Sequence, residues 1–176
     1  WVKHENHTPV GAFKIRGGLT YFDALRRQGE LPREVMSATR GNHGQSIAWA
    51  ARAHGVACTI VVPSGNSVEK NAAMRALGAG LIEYGNDFQD SREYAIKTAR
   101  ERGAHMVPSF DMALVCGVAT YWWEFFKAVP QLALVYVPIG QGSGICAAIA
   151  AKLALGHSVR VVGVVSAHAT TYADSL

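Results

Sequence analysis

Charge is in short supply in this chain. Charged residues fill 17% of its 176 positions, where an ordinary globular sequence has about 25%. Such a chain is expected to bury one surface against a second subunit, as a homodimer or higher homo-oligomer, or against further parts of the protein. It lacks a starting methionine and opens at Trp1 in "WVKHE", which reads as a strand, so a fragment is expected. Long apolar runs are missing too. The longest, such as "LALVYVPI", fall far short of the roughly 20 residues that span a bilayer, and no signal peptide is visible. Cysteine is sparse: Cys58, Cys116 and Cys146 sit in apolar stretches, their number is odd, and no CxxC occurs. They read as buried thiols in a reducing, cytoplasmic compartment. The net charge of +4 comes from scattered residues, clustered only at Arg26-Arg27 and in "ARERG". Both clusters fall on helical patterns, which is how a solvated helix face looks, so no nucleic-acid partner is expected. No carboxylate cluster has ligand spacing, so no metal is expected, and no internal repeat or low-complexity linker interrupts the chain. Asn6-His7-Thr8 matches a glycosylation sequon, which reads as chance here.

What the chain does have is a steady alternation. β-Branched runs at "EVMSAT", "ACTIVVP", "GLIEYG", "AHMVPS", "LALVYVP" and "VRVVGVVS" predict strands. Helical patterns lie between them over Gly44 to His54, Ser67 to Leu77, Phe88 to Arg102, Met112 to Ala128 and Ile145 to Leu155. Gly55, Gly78, Gly103 and Gly156 stand where these helices should end in a left-handed cap. With 49% hydrophobic residues and near-continuous apolar strands, the pattern predicts an α/β fold of parallel, twisted sheets covered by helices on both faces. The aromatic cluster "YWWEFF" reads as core or subunit packing.

In such folds ligands bind where strands lead into helix N-termini, and two of these loops stand out. "PIGQGSG" follows a strand and opens a helix with Gly140, Gly142 and Gly144 around Gln141 and Ser143. Closely spaced glycines let backbone N–H groups turn inward at a positive helix end, which suits a phosphate; a plain tight turn is the alternative. A dinucleotide site would need G-x-G-x-x-G and an acid after the next strand. The pattern here is G-x-G-x-G, and the next strand ends at Ser166, which disfavours NAD. The second loop, "SATRGNHGQS", offers Thr39, Gly41 and Asn42 at a helix start, suited to a carboxylate or a polar ring substituent. Alternatively Asn42 is a simple N-cap and His43 a structural histidine.

"GAFKIRGG" then sets Lys14 between Phe13 and Ile15. It is either an ordinary cation at a helix end or a reactive amine. Beside a phosphate loop and a carboxylate loop, a lysine among apolar residues points to pyridoxal 5′-phosphate, whose aldehyde bonds to a lysine and whose ring accepts electrons from an amino acid. Desolvation beside Phe13 would keep the amine neutral, and Gly17 and Gly18 are expected to let its helix pack close to the cofactor.

"HTPVGAFKIRGG", "SATRGNHGQSIAWAARAHGVACTIVVP", "KNAAMRALGAGLIEYG" and "PIGQGSG" together resemble the β-family, or fold-type II, of pyridoxal-phosphate enzymes. Within it the chain is most similar to threonine and serine dehydratases and serine racemases, in order and through essentially its whole length. The resemblance implies that Lys14 is the Schiff-base lysine and α-proton base, that Phe13 packs near the pyridine ring, and that Asn42 bonds the ring's phenolic oxygen. Thr39, Arg40, Gly41 and His43 would cradle the carboxylate of an amino-acid substrate through backbone N–H groups, and Gly140, Gln141, Gly142, Ser143 and Gly144 would hold the phosphate. Residues 1–32 and 130–176 would belong to a larger cofactor domain and 33–129 to a smaller α/β domain. The implied activity is an ammonia-lyase deaminating L-threonine or L-serine to a 2-oxo acid. A β-replacement enzyme or a racemase of the same fold, or a non-catalytic phosphate-ligand domain, are the alternatives. The chain departs from the family pattern in having "GQGSG" for a four-glycine run and Arg40 for a small residue. No serine able to protonate the opposite face stands clearly beside "GNHG".

Overall fold

A computed structural model describes residues 1–175, leaving Leu176, the last position of the segment expected in the larger domain, outside the described residues. In chain order the elements are α1 (Lys14–Gln28), β1 (Glu34–Ala38), α2 (Asn42–Ala53), β2 (Ala57–Val62), α3 (Val68–Ala76), β3 (Gly80–Glu83), α4 (Phe88–Arg102), β4 (His105–Met106), α5 (Met112–Ala128), β5 (Leu134–Pro138), α6 (Ser143–Leu155), β6 (Arg160–Val164) and α7 (Thr171–Asp174). Every strand and helix expected from the alternation is present. The four glycines at helix ends all have positive φ, between 60° and 91°, so their carbonyl-rich ends close without a Cβ clash.

All strand pairs are parallel, but they form two sheets: one in the order β3-β2-β1-β4 and one of β5 and β6. The larger sheet is covered on both faces, as its apolar strands require. Phe22 of α1 and Ile47 of α2 pack with Val35 and Ile60 on one side; Ala95 and Ala99 of α4 pack with Met36 and Val61 on the other. The smaller sheet departs from the expectation. Its inward residues Val135 and Val137 meet Val118 and Phe126 of α5 and Ala147 and Ala148 of α6, whereas Tyr136, between them, is 67% exposed. Alternate residues of one strand point to opposite faces, so only one face of β5–β6 is covered among the described residues.

Other corrections have local causes. The strand expected at "AHMVPS" shrinks to two residues, because β4 lies at the sheet edge and Pro108 has no N–H to donate. Residues 1–5 form no strand; with no neighbouring ladder, the segment is tied down by side chains, Glu5 pairing with Arg16 and Lys3 with Glu124. Cys116 and Cys146 are exposed and only Cys58 is half-buried. Burial and Glu34 push the Cys58 thiol up to about 12, so it is an inert packing group.

Gly17 and Gly18 also do something other than expected. A Cβ on Gly17 would lie 2.9 Å from the Leu114 carbonyl oxygen of α5, and one on Gly18 would lie 2.8 Å from the Ser46 carbonyl oxygen of α2. These glycines let α1 wedge between two helices rather than against a ligand. That wedge sets the position of Lys14, the first residue of α1.

Candidate active site

The N-terminus of α1 and the loops before α2 and α6 converge on one cavity of about 430 Å³, lined by Lys14, Thr39, Arg40, Gly41, Asn42, His43, Lys70 and Gln141 among others. It adjoins a second cavity of about 560 Å³ across shared walls at Phe88, Ser109 and Gln141; Gly142, Cys146 and Tyr172 line the second. Among the described residues no aspartate or glutamate lines either one.

Lys14 Nζ donates to Ser143 Oγ at 2.5 Å. The lysine and the glycine loop, 129 positions apart in sequence, are therefore in contact. Desolvation lowers the Lys14 pKa from its ordinary 10.5, which favours the neutral, nucleophilic amine. The backbone under it is pinned, since Ser46 Oγ donates to the Lys14 carbonyl at 2.6 Å.

The start of α6 offers unpaired donors. Helices α3, α4 and α5 begin with side-chain caps from Ser67, Asp87 and Asp111, but α6 begins at Gly142 with none. Among the described residues no protein acceptor takes the N–H groups of Gly140 to Ile145. The space where a Cβ of Gly140 would project is open. Trp122 Nε1 donates to the Gly144 carbonyl at 3.0 Å, so the buried aromatic cluster of α5 anchors this turn. Unsatisfied N–H groups at a positive helix end form an anion site.

At α2 the picture is more selective. Asn42 is the first helical residue, Gly41 is the N-cap, and no side chain caps from that position, so Asn42 is not the simple cap of the alternative reading. Thr39 Oγ1 accepts from the N–H groups of Gly41 at 2.9 Å and Gly44 at 3.3 Å, and Thr39's own N–H is given to Val61. The donors left over in this loop are the N–H groups of Arg40, Asn42 and His43. Of the residues singled out in the sequence, Gly140, Ser143 and Gly144 line neither of these cavities, and Phe13 faces another. Its ring packs on Tyr121 at 5.4 Å between centroids and lines a separate cavity beside Trp1.

His43 Nε2 is buried without a hydrogen-bond partner. Burial, reinforced by the charge of Lys14, lowers its pKa to about 3 from 6.5. The unfolded chain therefore binds more protons than the folded one between those values, and stability falls as pH drops through that window. Urea unfolding of cofactor-free protein is expected to lose up to about 1.4 kcal/mol per pH unit below 6.5. His43→Gln should flatten that slope; an unchanged slope would mean His43 is solvated.

Sequence reasoning missed Lys70, Ser109, Trp122 and Tyr172. Lys70 lies inside the quoted "KNAAMRALGAG" segment, but nothing local says that its side chain crosses the α2 loop; only tertiary packing brings it there.

The donor set fits pyridoxal phosphate: a desolvated amine touching an anion-ready glycine turn, in a cavity free of carboxylates. A sequence profile described as "Pyridoxal-phosphate dependent enzyme" matches residues 1–176. An L-threonine ammonia-lyase of Geobacter sulfurreducens is 36% identical over 178 residues, covering 100% of this chain and 44% of that protein. The crystal structure of a processed threonine deaminase from Solanum lycopersicum superposes with a TM-score of 0.83 at 28% identity, over 92% of this chain and 45% of that one. A pyridoxal 5′-phosphate-dependent aspartate racemase superposes with a TM-score of 0.82 at 26% identity, over 86% and 46%. The chain thus spans less than half the length of these relatives. Its parallel sheets flanked by helices match the architecture of these fold-type II structures, and the chain belongs to the pyridoxal-phosphate dependent enzyme family.

Proposed function

We propose that this chain carries the lysine and cofactor site of an ammonia-lyase that dehydrates a β-hydroxy amino acid, L-threonine or L-serine, to a 2-oxo acid and ammonia. The observation that carries the reading is the contact of Lys14 Nζ with Ser143 Oγ, which joins a desolvated amine to an open anion site. When bound, pyridoxal phosphate supplies an electron sink for the charge left at the substrate α-carbon.

The chain's own residues do the rest. The N–H groups of Gly140, Gln141, Gly142, Ser143 and Gly144, with the Ser143 hydroxyl, would hold the phosphate. The Asn42 amide holds the ring's phenolic oxygen. The N–H groups of Arg40, Asn42 and His43 orient the substrate carboxylate, while Thr39 fixes their loop and with it Gly41. Lys14 Nζ is the group that would hold the cofactor and, as a free amine, accept the substrate α-proton; His43, kept neutral, would not compete as a cation. Departure of the β-hydroxyl leaves an enamine, which water converts to the oxo acid and ammonia. Phe13 supports the Gly144 turn from behind, its ring edge within 3.6 Å of where a Cβ there would stand.

The domain division proposed is a larger unit from residues 1–32 and 130–176 around a smaller one at 33–129. The four-stranded sheet, lying wholly within the middle segment, supports it. Helix α5, although it lies in the middle segment, packs on α1 and α6 of the larger unit. A cytoplasmic homo-oligomer is the proposed state.

Borohydride reduction of the full-length protein with pyridoxal phosphate, followed by peptide mass spectrometry, should place a phosphopyridoxyl group on Lys14. In a separate, unreduced sample of the holoenzyme, threonine or serine should release oxo acid without added sulfide. Sulfide-dependent product alone would make it a β-replacement enzyme, and absence of the adduct would leave a non-catalytic phosphate-ligand domain. The likeness to an aspartate racemase favours racemisation as the second reading; chiral analysis showing inverted substrate without oxo acid would establish it.

A further inference from the structure

We infer that the site selects a β-hydroxy amino acid bearing a second carboxylate on its β-carbon, and that Arg40 and Lys70 read that group; the inference rests on the ammonia-lyase reading. The two cations reach one place from different elements. Arg40 stands in the loop between β1 and α2, and Lys70 in the first turn of α3, and both line the first cavity. A Cβ built on Gly41 would run into Lys70 Cδ and come within 3.1 Å of Lys70 Nζ. The ammonium is thus held over the loop, next to the residue after Arg40.

Neither cation has an ion-pair partner among the described residues. Other exposed cations such as Arg33, Arg52 and Arg160 are likewise unpaired; what sets Arg40 and Lys70 apart is that both line the cavity that holds Lys14. Cations that face one cavity with no carboxylate in its wall give it a positive potential, which an incoming anion satisfies. The anions required by the proposed reaction already have donors elsewhere. The phosphate has the N–H groups of Gly140 to Gly144, and the α-carboxylate has those at the start of α2.

With threonine, the remaining cations would have only a methyl group to face; with serine, only a hydrogen. A β-carboxylate gives the planar Arg40 guanidinium a two-point partner and Lys70 a point charge to neutralise. The chemistry balances without an oxidant or reductant. The 3-hydroxy derivative of aspartate loses its α-proton and β-hydroxyl as water, and hydrolysis of the enamine returns that water, giving an oxo-dicarboxylate and ammonia.

The test uses the full-length holoenzyme and two non-reacting probes, succinate and butyrate, followed by calorimetry. Succinate should bind about 10- to 100-fold more tightly than butyrate, and Arg40→Ala should erase the difference, as loss of a charged hydrogen-bonding pair does. Arg40→Gln, which keeps size and polarity, should behave like alanine, and Arg27→Ala, remote from the cavity, should retain the wild-type ratio. In turnover, the ratio of kcat/KM for 3-hydroxyaspartate over threonine should exceed one and collapse in Arg40→Ala. Equal binding of the two probes, or a ratio that Arg40→Ala leaves intact, overturns the inference. So does an Arg40→Ala protein whose only defect is weaker cofactor binding. Good deamination of threonine with no Arg40-dependent dicarboxylate preference sinks the inference and keeps the lyase reading. An Arg40-dependent preference in a protein that deaminates neither substrate sinks the lyase reading and keeps the cation pair.

Discussion

Lys14→Ala is expected to lower turnover of threonine or serine by about 10³-fold or more, since it removes both the covalent anchor and the proton acceptor. The fold should survive. Lys14 begins α1 and its carbonyl, held by Ser46, is unchanged by the substitution. What disappears is the amine in contact with Ser143, and with it the borohydride-stable adduct and the visible absorbance of the bound cofactor. Lys14→Arg should be as inactive, because a guanidinium does not give up its proton. A small added amine should restore part of the activity to Lys14→Ala and none to Lys14→Arg.

The pH dependence follows from burial. Desolvation lowers the Lys14 pKa below 10.5, so the fraction of neutral amine, and the rate it limits, rises with pH and levels off below that value. The same sign governs stability of the cofactor-free protein. The unfolded chain binds the extra proton between the two pKa values, so stability climbs with pH there. Wild-type activity in Lys14→Ala would remove the lysine from the mechanism.

The second large effect is structural. Gly117→Val is expected to destabilise the protein by about 3 kcal/mol, the range in which overpacking a rigid contact falls. A Cβ at Gly117 on α5 would run into the Arg16 carbonyl oxygen of α1, with Thr20 Oγ1 at 2.6 Å and the Arg16 carbonyl carbon at 2.8 Å. Backbone atoms cannot rotate aside, so the helices must part. For a chain of this length that corresponds to a fall in Tm of roughly 6–12 °C. Displacement of α1 carries Lys14, two residues from the contact, away from Ser143, so kcat should fall in the fraction that stays folded. Thermal unfolding and turnover measured together check both halves; a variant as stable and active as the parent would show that the helices have room to spare.

Much of this arrangement is legible without coordinates because it is written in neighbouring residues. β-Branched runs alternating with helical periods and glycine stops need only short-range sterics, and they carried the parallel α/β reading. The three site segments were likewise visible, each being a short loop whose chemistry lies in adjacent residues: Lys14 among apolar residues, "GNHG" at a helix start, "GQGSG" after a strand. The failures share a cause. Whether Cys116 and Cys146 are buried, whether "AHMVPS" is a long strand or an edge of two residues, and whether residues 1–5 pair with anything depend on what lies beside them in space.

The site itself depends on the same thing. The sequence alone determined the elements and their parallel connection and marked the candidate site residues, since these follow from local conformation and side-chain chemistry. Only the tertiary structure decided that Gly17, Gly18 and Gly117 serve helix contact, that Trp122 anchors the Gly144 turn, and that Lys70 crosses Gly41 beside Arg40. Each is a meeting of residues far apart in the chain, and close packing of helices, rather than any local signal, sets those distances.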